Sequence, residues 1–91
     1  MHLRTKRVAT ALHNNISSVL FKQPGLQFVS VVHVDLSDNL QRAKVHLSSL
    51  SAEHTEESIM ASVMASKGRI MKELAALMSL KRMPQIKFFC V

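Results

Sequence analysis

Residues 27–50, QFVSVVHVDLSDNLQRAKVHLSSL, decide the fold. Residues 27–36 (QFVSVVHVDL) are rich in β-branched side chains and predict a largely buried strand. Ser37-Asp38-Asn39 brings side chains that hydrogen-bond their own backbone, the chemistry of a tight turn. In residues 41–50, Ala43, Val45 and Leu47 share one face while Arg42, Lys44 and His46 share the other. That period of two marks a strand with one solvated face, and the two runs together predict an antiparallel hairpin.

Working outward, Val8, Leu12, Ile16, Val19 and Leu20 recur at helical spacing and predict an amphipathic helix over roughly residues 3–22, ended by Pro24-Gly25. After the hairpin, Thr55 precedes Glu56 and Glu57, an N-cap followed by acids in a first turn. Ile59, Met60, Val63 and Met64 give a second helix its apolar face. Gly68 is read as an interruption, and Ile70, Met71, Leu74, Leu77 and Met78 as a third helix that Pro84 stops. Alternation of Ile86, Phe88 and Cys90 predicts a short last strand. The expected order is helix, strand, strand, helix, helix, strand (αββααβ). This is an α+β domain over residues 1–91, a three-stranded sheet with helices packed on one face.

An apolar fraction of 47% is ample for a packed interior and argues against disorder. The four aromatic residues are all Phe and are assigned to the core. A single cysteine, Cys90, excludes an internal disulfide and a multi-cysteine zinc site. No apolar run approaches the roughly 18 residues that span a bilayer, so no membrane partner is expected. The acid-poor start, MHLRTKRVATALHNN, has some character of a transit segment, but its periodicity suits a core helix. The expected compartment is a bacterial-type cytoplasm, with an organelle as the alternative. The net charge of +6 implies an anionic partner, and it is uneven: +4 over residues 1–34, −3 over 35–66 and +5 over 67–91. If both ends lie on one side of the fold they make one positive face.

The element order is that of the type-II KH fold, whose members commonly clamp single-stranded nucleic acid with a GxxG loop between two helices. Here the corresponding residues are Ala65-Ser66-Lys67-Gly68. The chain resembles the ribosome-binding factor A family, a KH relative that carries an Ala-x-Gly kink in that place. Arg4-Thr5-Lys6-Arg7-Val8-Ala9 is similar to that family's opening R-x-x-R-V-A. Phe28-Val29-Ser30-Val31 through Ser37, Leu40, Ala43-Lys44-Val45 and Leu50 follows its hairpin without a gap. Its "V-P-x-L-x-F" near the end appears as Met83-Pro84-Gln85-Ile86-Lys87-Phe88. There are two departures: the kink is one residue longer, and many members continue with a polar tail where this sequence reaches Val91. Any function of such a tail is expected to be missing. The resemblance implies a non-catalytic factor that binds the small ribosomal subunit and its rRNA during late assembly, alongside other assembly factors, and supports growth in the cold. A monomer without a cofactor is expected. The alternative is a general KH-type binder of single-stranded RNA, and a third reading is a protein-interaction module using a sheet edge.

The candidate RNA-binding residues are Arg4, Arg7, Lys22, Lys67, Gly68, Arg69 and Lys72. Arg4, Arg7 and Lys22 recur near one stripe of the first helix. Lys67, Arg69 and Lys72 surround the expected start of the third helix, where free backbone N–H groups would add to cationic side chains in holding phosphate. The bland alternative is a solvated face with Arg69 pairing Glu73 at i+4. Lys81 and Arg82 are assigned to the end of the third helix, complementing its macrodipole. With the Phe residues in the core, shape and backbone recognition is expected rather than base stacking. The five histidines lack metal-ligand spacing; His33 and His46 could face each other across the hairpin, but two ligands fall short of a site. No arrangement of Ser, His, Asp or Cys suggests catalysis.

Overall fold

The computed structural model describes residues 3–91, and His2 of the histidine set lies outside them. Helix α1 spans Leu3–Lys22, strand β1 Val29–Leu36, strand β2 Arg42–Ser49, helix α2 Glu56–Leu77 and strand β3 Gln85–Cys90. The sheet order is β1-β2-β3. β1 and β2 form the expected antiparallel hairpin, and α2 is the crossover that returns β3 parallel to β2. The α+β class and the helix-covered three-stranded sheet follow the sequence expectation, while the helix count does not.

The hairpin turn is built as its residues predict. Asn39 Oδ1 accepts from Ser37 Oγ at 2.7 Å and from the Gln41 N–H at 3.1 Å, while Ser37 Oγ accepts from the Arg42 N–H. Leu40 takes a left-handed φ of 61°, a costly conformation for a branched side chain, and packs against the core. Thr55 caps α2, its side chain accepting from the Ser58 N–H at 3.1 Å.

Two features depart from simple patterning. The first is a β-bulge in β1. Val31 pairs with Leu47 and the next register partner of β2, His46, faces His33, so Val32 is the extra residue. Strict alternation would put His33 and Asp35 on the same face as Val29 and Val31. The bulge shifts the phase, so Val29, Val31, Val34 and Leu36 all point inward, and Val32, His33 and Asp35 are exposed.

The second is α2. Residues 65–68 are continuous helix, so the expected break at Gly68 and the separate third helix are absent. Gly68 does not have the positive φ that a kink would require, and a Cβ built on it meets nothing within 4 Å. One glycine costs a helix about 1 kcal/mol relative to alanine. Ile59, Val63, Ile70 and Leu74, spaced on one face and buried on both sides of Gly68, each contribute roughly 1.5–3 kcal/mol by burial, and the helix runs through. The helix also ends at Leu77, before the expected stop at Pro84.

One apolar cluster joins the inward faces of the sheet to Leu12, Ile16, Val19 and Leu20 of α1 and to the buried face of α2. Of the four Phe only Phe88 is fully in it: Phe28 is half-buried, and Phe21 and Phe89 are 66% and 41% exposed. The assignment of all four to the core is thereby corrected. Among the described residues no helix is long and apolar enough to cross a membrane.

Candidate nucleic-acid interface

Three cations, Arg4, Lys6 and Arg7, crowd the first turns of α1, which carry no acid and are the positive end of the helix dipole. Cations there oppose the dipole by an amount of order 0.3–1 kcal/mol each, so they are not explained by helix stability. All three are exposed. Lys22 sits in the last turn, where the same dipole favours it, and borders Glu73, Ala76 and Leu77 of α2. At a rise of about 1.5 Å per residue, Arg4 and Lys22 are separated by roughly 27 Å along the helix. They mark opposite ends of a face.

At the Arg4 end the structure adds two cations that sequence reasoning assigned elsewhere. Because α2 ends at Leu77, Lys81 and Arg82 lie outside any helix and cannot serve its dipole, whose last turn holds no basic residue. They line a crevice of about 220 Å³ with Arg4, facing Asn39 and Gln41 of the hairpin turn. Their distance in sequence from Arg4, and the false extension of the helix, hid this grouping.

The expected phosphate clamp is not formed. Ala65-Ser66-Lys67-Gly68 lies within helical turns, whose N–H groups are already committed to the backbone ladder, so no N-terminal N–H set is available beside Lys67. Arg69 and Lys72, three residues apart, are exposed on one side of α2 with Gly68, while Lys67 is half-buried. Glu73 is engaged elsewhere than in the bland alternative of an Arg69 pair: its carboxylate accepts a 2.6 Å hydrogen bond from Gln23 Nε2. Gln23 is buried, its Nε2 also donates to the Val19 carbonyl, and its Oε1 has no protein partner.

The face of the sheet away from the helices carries a second grouping. His33, His46 and Phe89 stand in register across β1, β2 and β3. Their ring centroids are 5.9 Å apart (His33 to His46) and 5.8 Å apart (His46 to Phe89), with planes inclined by 29° and 26°. The adjacent register row is Asp35, Lys44 and Lys87, and Arg42 follows beside Gln85. The expected opposition of His33 and His46 is therefore present; among the described residues no three metal-ligating side chains gather. His54 instead stacks on Phe28 at 3.6 Å, pinning the loop before α2 to the start of β1. Cys90, at the end of β3, has its thiol pushed up by burial and secondarily by the Glu56 carboxylate.

The sequence model of ribosome-binding factor A matches residues 4–90. The ribosome-binding factor A of Macrococcus caseolyticus is 33% identical over 91 residues, covering 97% of this chain and 80% of its own. That of Thermosynechococcus vestitus is 33% identical over 90 residues, covering 93% and 71%. Among solved structures, the crystal structure of ribosome-binding factor A from Thermus thermophilus superposes with a TM-score of 0.81 at 18% identity, over 94% of this chain and 93% of that one. A homology model of the Thermus thermophilus factor, fitted into the cryo-EM map of a 30S complex, gives 0.65 at 21% identity, over 99% and 93%. These superpositions establish the shared fold.

Proposed function

Because the chain belongs to the ribosome-binding factor A family, we propose that it binds the small ribosomal subunit and assists late maturation of its rRNA, without catalysis, in a bacterial-type cytoplasm. The observation that carries this reading is the cluster of Arg4, Lys81 and Arg82 at one end of α1, with Lys6 and Arg7 beside it, placed where helix stability does not call for them. Phosphate would offset that unfavourable placement and pair with each side chain. The 30S complex of the Thermus thermophilus factor is consistent with the same partner. Of the seven residues singled out in the sequence, Arg4, Arg7, Arg69 and Lys72 are assigned phosphate contacts. Lys22 and Lys67 take peripheral ones, and Gly68 contributes a side-chain-free surface next to Arg69 and Lys72.

The alternative, a general KH-type binder of single-stranded RNA, drew its ground from a phosphate clamp at residues 65–68. A continuous helix there withdraws that ground. Co-sedimentation separates the readings. The protein should travel with free or immature small subunits and much less with translating ribosomes; equal recovery in every fraction, or none with small subunits, overturns the proposal.

A further inference from the structure

We propose that the open face of the sheet is a stacking platform for unpaired RNA bases, with Phe89, His46 and His33 as the ring surface and Lys44, Lys87 and Arg42 as its phosphate contacts. This rests on the small-subunit reading and adds to it a second face, which meets the cations of α1 at Lys6.

The case begins with why the rings are there. Phe89 is 41% exposed and lies beside Phe88, which alone fills the core position, so Phe89 is not required by packing. His33 is exposed only because the bulge at Val32 turns it outward; without the phase shift it would face the helices. The result is a row of three rings across all three strands, with planes inclined by 29° and 26° and centroid spacings within the range of aromatic pairs. A solvated sheet face usually carries isolated polar side chains. An unbroken ring row instead presents π-surface that any base can use.

Charge selects the occupant. Arg42, Lys44 and Lys87 are exposed on this face and Asp35 is the one acid in those rows, so an anionic polymer with flat apolar groups fits it. Glu56 and Glu57 border Phe89 on the β3 side and repel phosphate there. The strand is thereby directed from Phe89 across His46 toward His33. At that end His33 joins Lys6, Thr10, His13 and Asn14 in lining a groove of about 700 Å³ beside β1, with no acid in its wall. That volume lies within the roughly 300–1,000 Å³ of small-ligand sites, enough for a nucleotide to leave the sheet and settle against α1.

The probes are a short oligoadenylate and its abasic counterpart of equal length, measured by fluorescence anisotropy at low salt, alongside co-sedimentation with small subunits. Phe89→Leu keeps an apolar β-former on the strand, and His33→Ala alters an exposed position, so thermal melts should match the parent. Removing one stacking ring should weaken oligoadenylate binding from roughly fivefold to over a hundredfold. Affinity for the abasic strand should stay unchanged. Lys44→Glu should weaken both strands. Equal oligoadenylate affinity for the parent, Phe89→Leu and His33→Ala overturns the platform, as does failure of the parent to bind oligoadenylate. If Phe89→Leu loses small subunits yet binds oligoadenylate like the parent, the face docks protein and the platform is again wrong. Loss of small-subunit binding by the parent itself, with ring-dependent oligoadenylate binding intact, defeats the assembly reading and leaves the platform standing.

Discussion

Gln23, buried just beyond the end of α1, donates from Nε2 to the Glu73 carboxylate of α2 at 2.6 Å, joining the two helices across fifty residues of sequence. The amide's Oε1 has no partner, so the Nε2 bonds to Glu73 and to the Val19 carbonyl together carry the polar cost of burying Gln23. Glu73→Ala should destabilise by about 1–3 kcal/mol, because it removes the charged acceptor and leaves the amide only its Val19 bond. Gln23→Met, which removes both amide atoms at similar length, should cost less than Gln23→Ala, which also leaves a cavity. Urea titration of the three variants checks the order. A Met variant less stable than the Ala variant contradicts it.

Gly68→Ala is expected to stabilise. The residue is exposed within α2, and its Cβ would enter open space. Alanine should gain about 0.5–1 kcal/mol from helix propensity alone, raising Tm by a few degrees. A lowered Tm would reinstate a kink at this position. Small-subunit affinity should fall slightly, because the added methyl intrudes on the side-chain-free surface beside Arg69 and Lys72.

Val32 should be deletable. It is the unpaired residue of the β1 bulge, and its removal leaves Val29, Val31, Val34 and Leu36 on one face in strict alternation. The deletion should keep a cooperative unfolding transition, at a cost of no more than about 2 kcal/mol. Deleting His46 from β2, which has no bulge, should abolish cooperative unfolding because Val45 and Leu47 would then fall on opposite faces. Two cooperative transitions, or none, would contradict the phase argument.

Binding to small subunits should depend steeply on salt. With roughly four to six phosphates contacted, log affinity should fall with log salt at a slope of about −3 to −5. Neutralising Arg4, Arg82, Arg69 or Lys72 singly should flatten the slope by up to about one unit each. Half-buried Lys67 should change it less. An unchanged slope in every variant would remove these cations from the interface.

Cys90 should alkylate slowly at neutral pH. Burial first, and the Glu56 carboxylate second, disfavour its thiolate and raise the thiol above its ordinary value. The rate with iodoacetamide should therefore rise with pH later than that of a free cysteine. Glu56→Gln should move the profile part of the way back, because the larger cause, burial, remains. A profile unmoved by Glu56→Gln removes the charge contribution.

The first helix, the hairpin, the Thr55 cap and the last strand are legible in the chain alone. Each is written in a local signal: a 3.6-residue period in Val8 to Leu20, a period of two in Ala43 to Leu47, and turn side chains at Ser37 and Asn39. It also supplied the cations Arg4, Arg7, Arg69 and Lys72. Gly68 misled because glycine's local penalty is visible in sequence, whereas the burial of Ile59, Val63, Ile70 and Leu74 that outweighs it is tertiary. The place of Lys81 and Arg82 is likewise hidden in the sequence, because the helix ends at Leu77, with Met78 already extended, well before Pro84. The ring row of His33, His46 and Phe89 was only half legible. The facing of two histidines follows from a hairpin, but adding Phe89 requires the parallel register of β3. Aiming His33 outward requires the bulge that sets Val32 aside. Register and phase are settled by burying Val31, Val34 and Leu47 together, and only the assembled sheet fixes that energy.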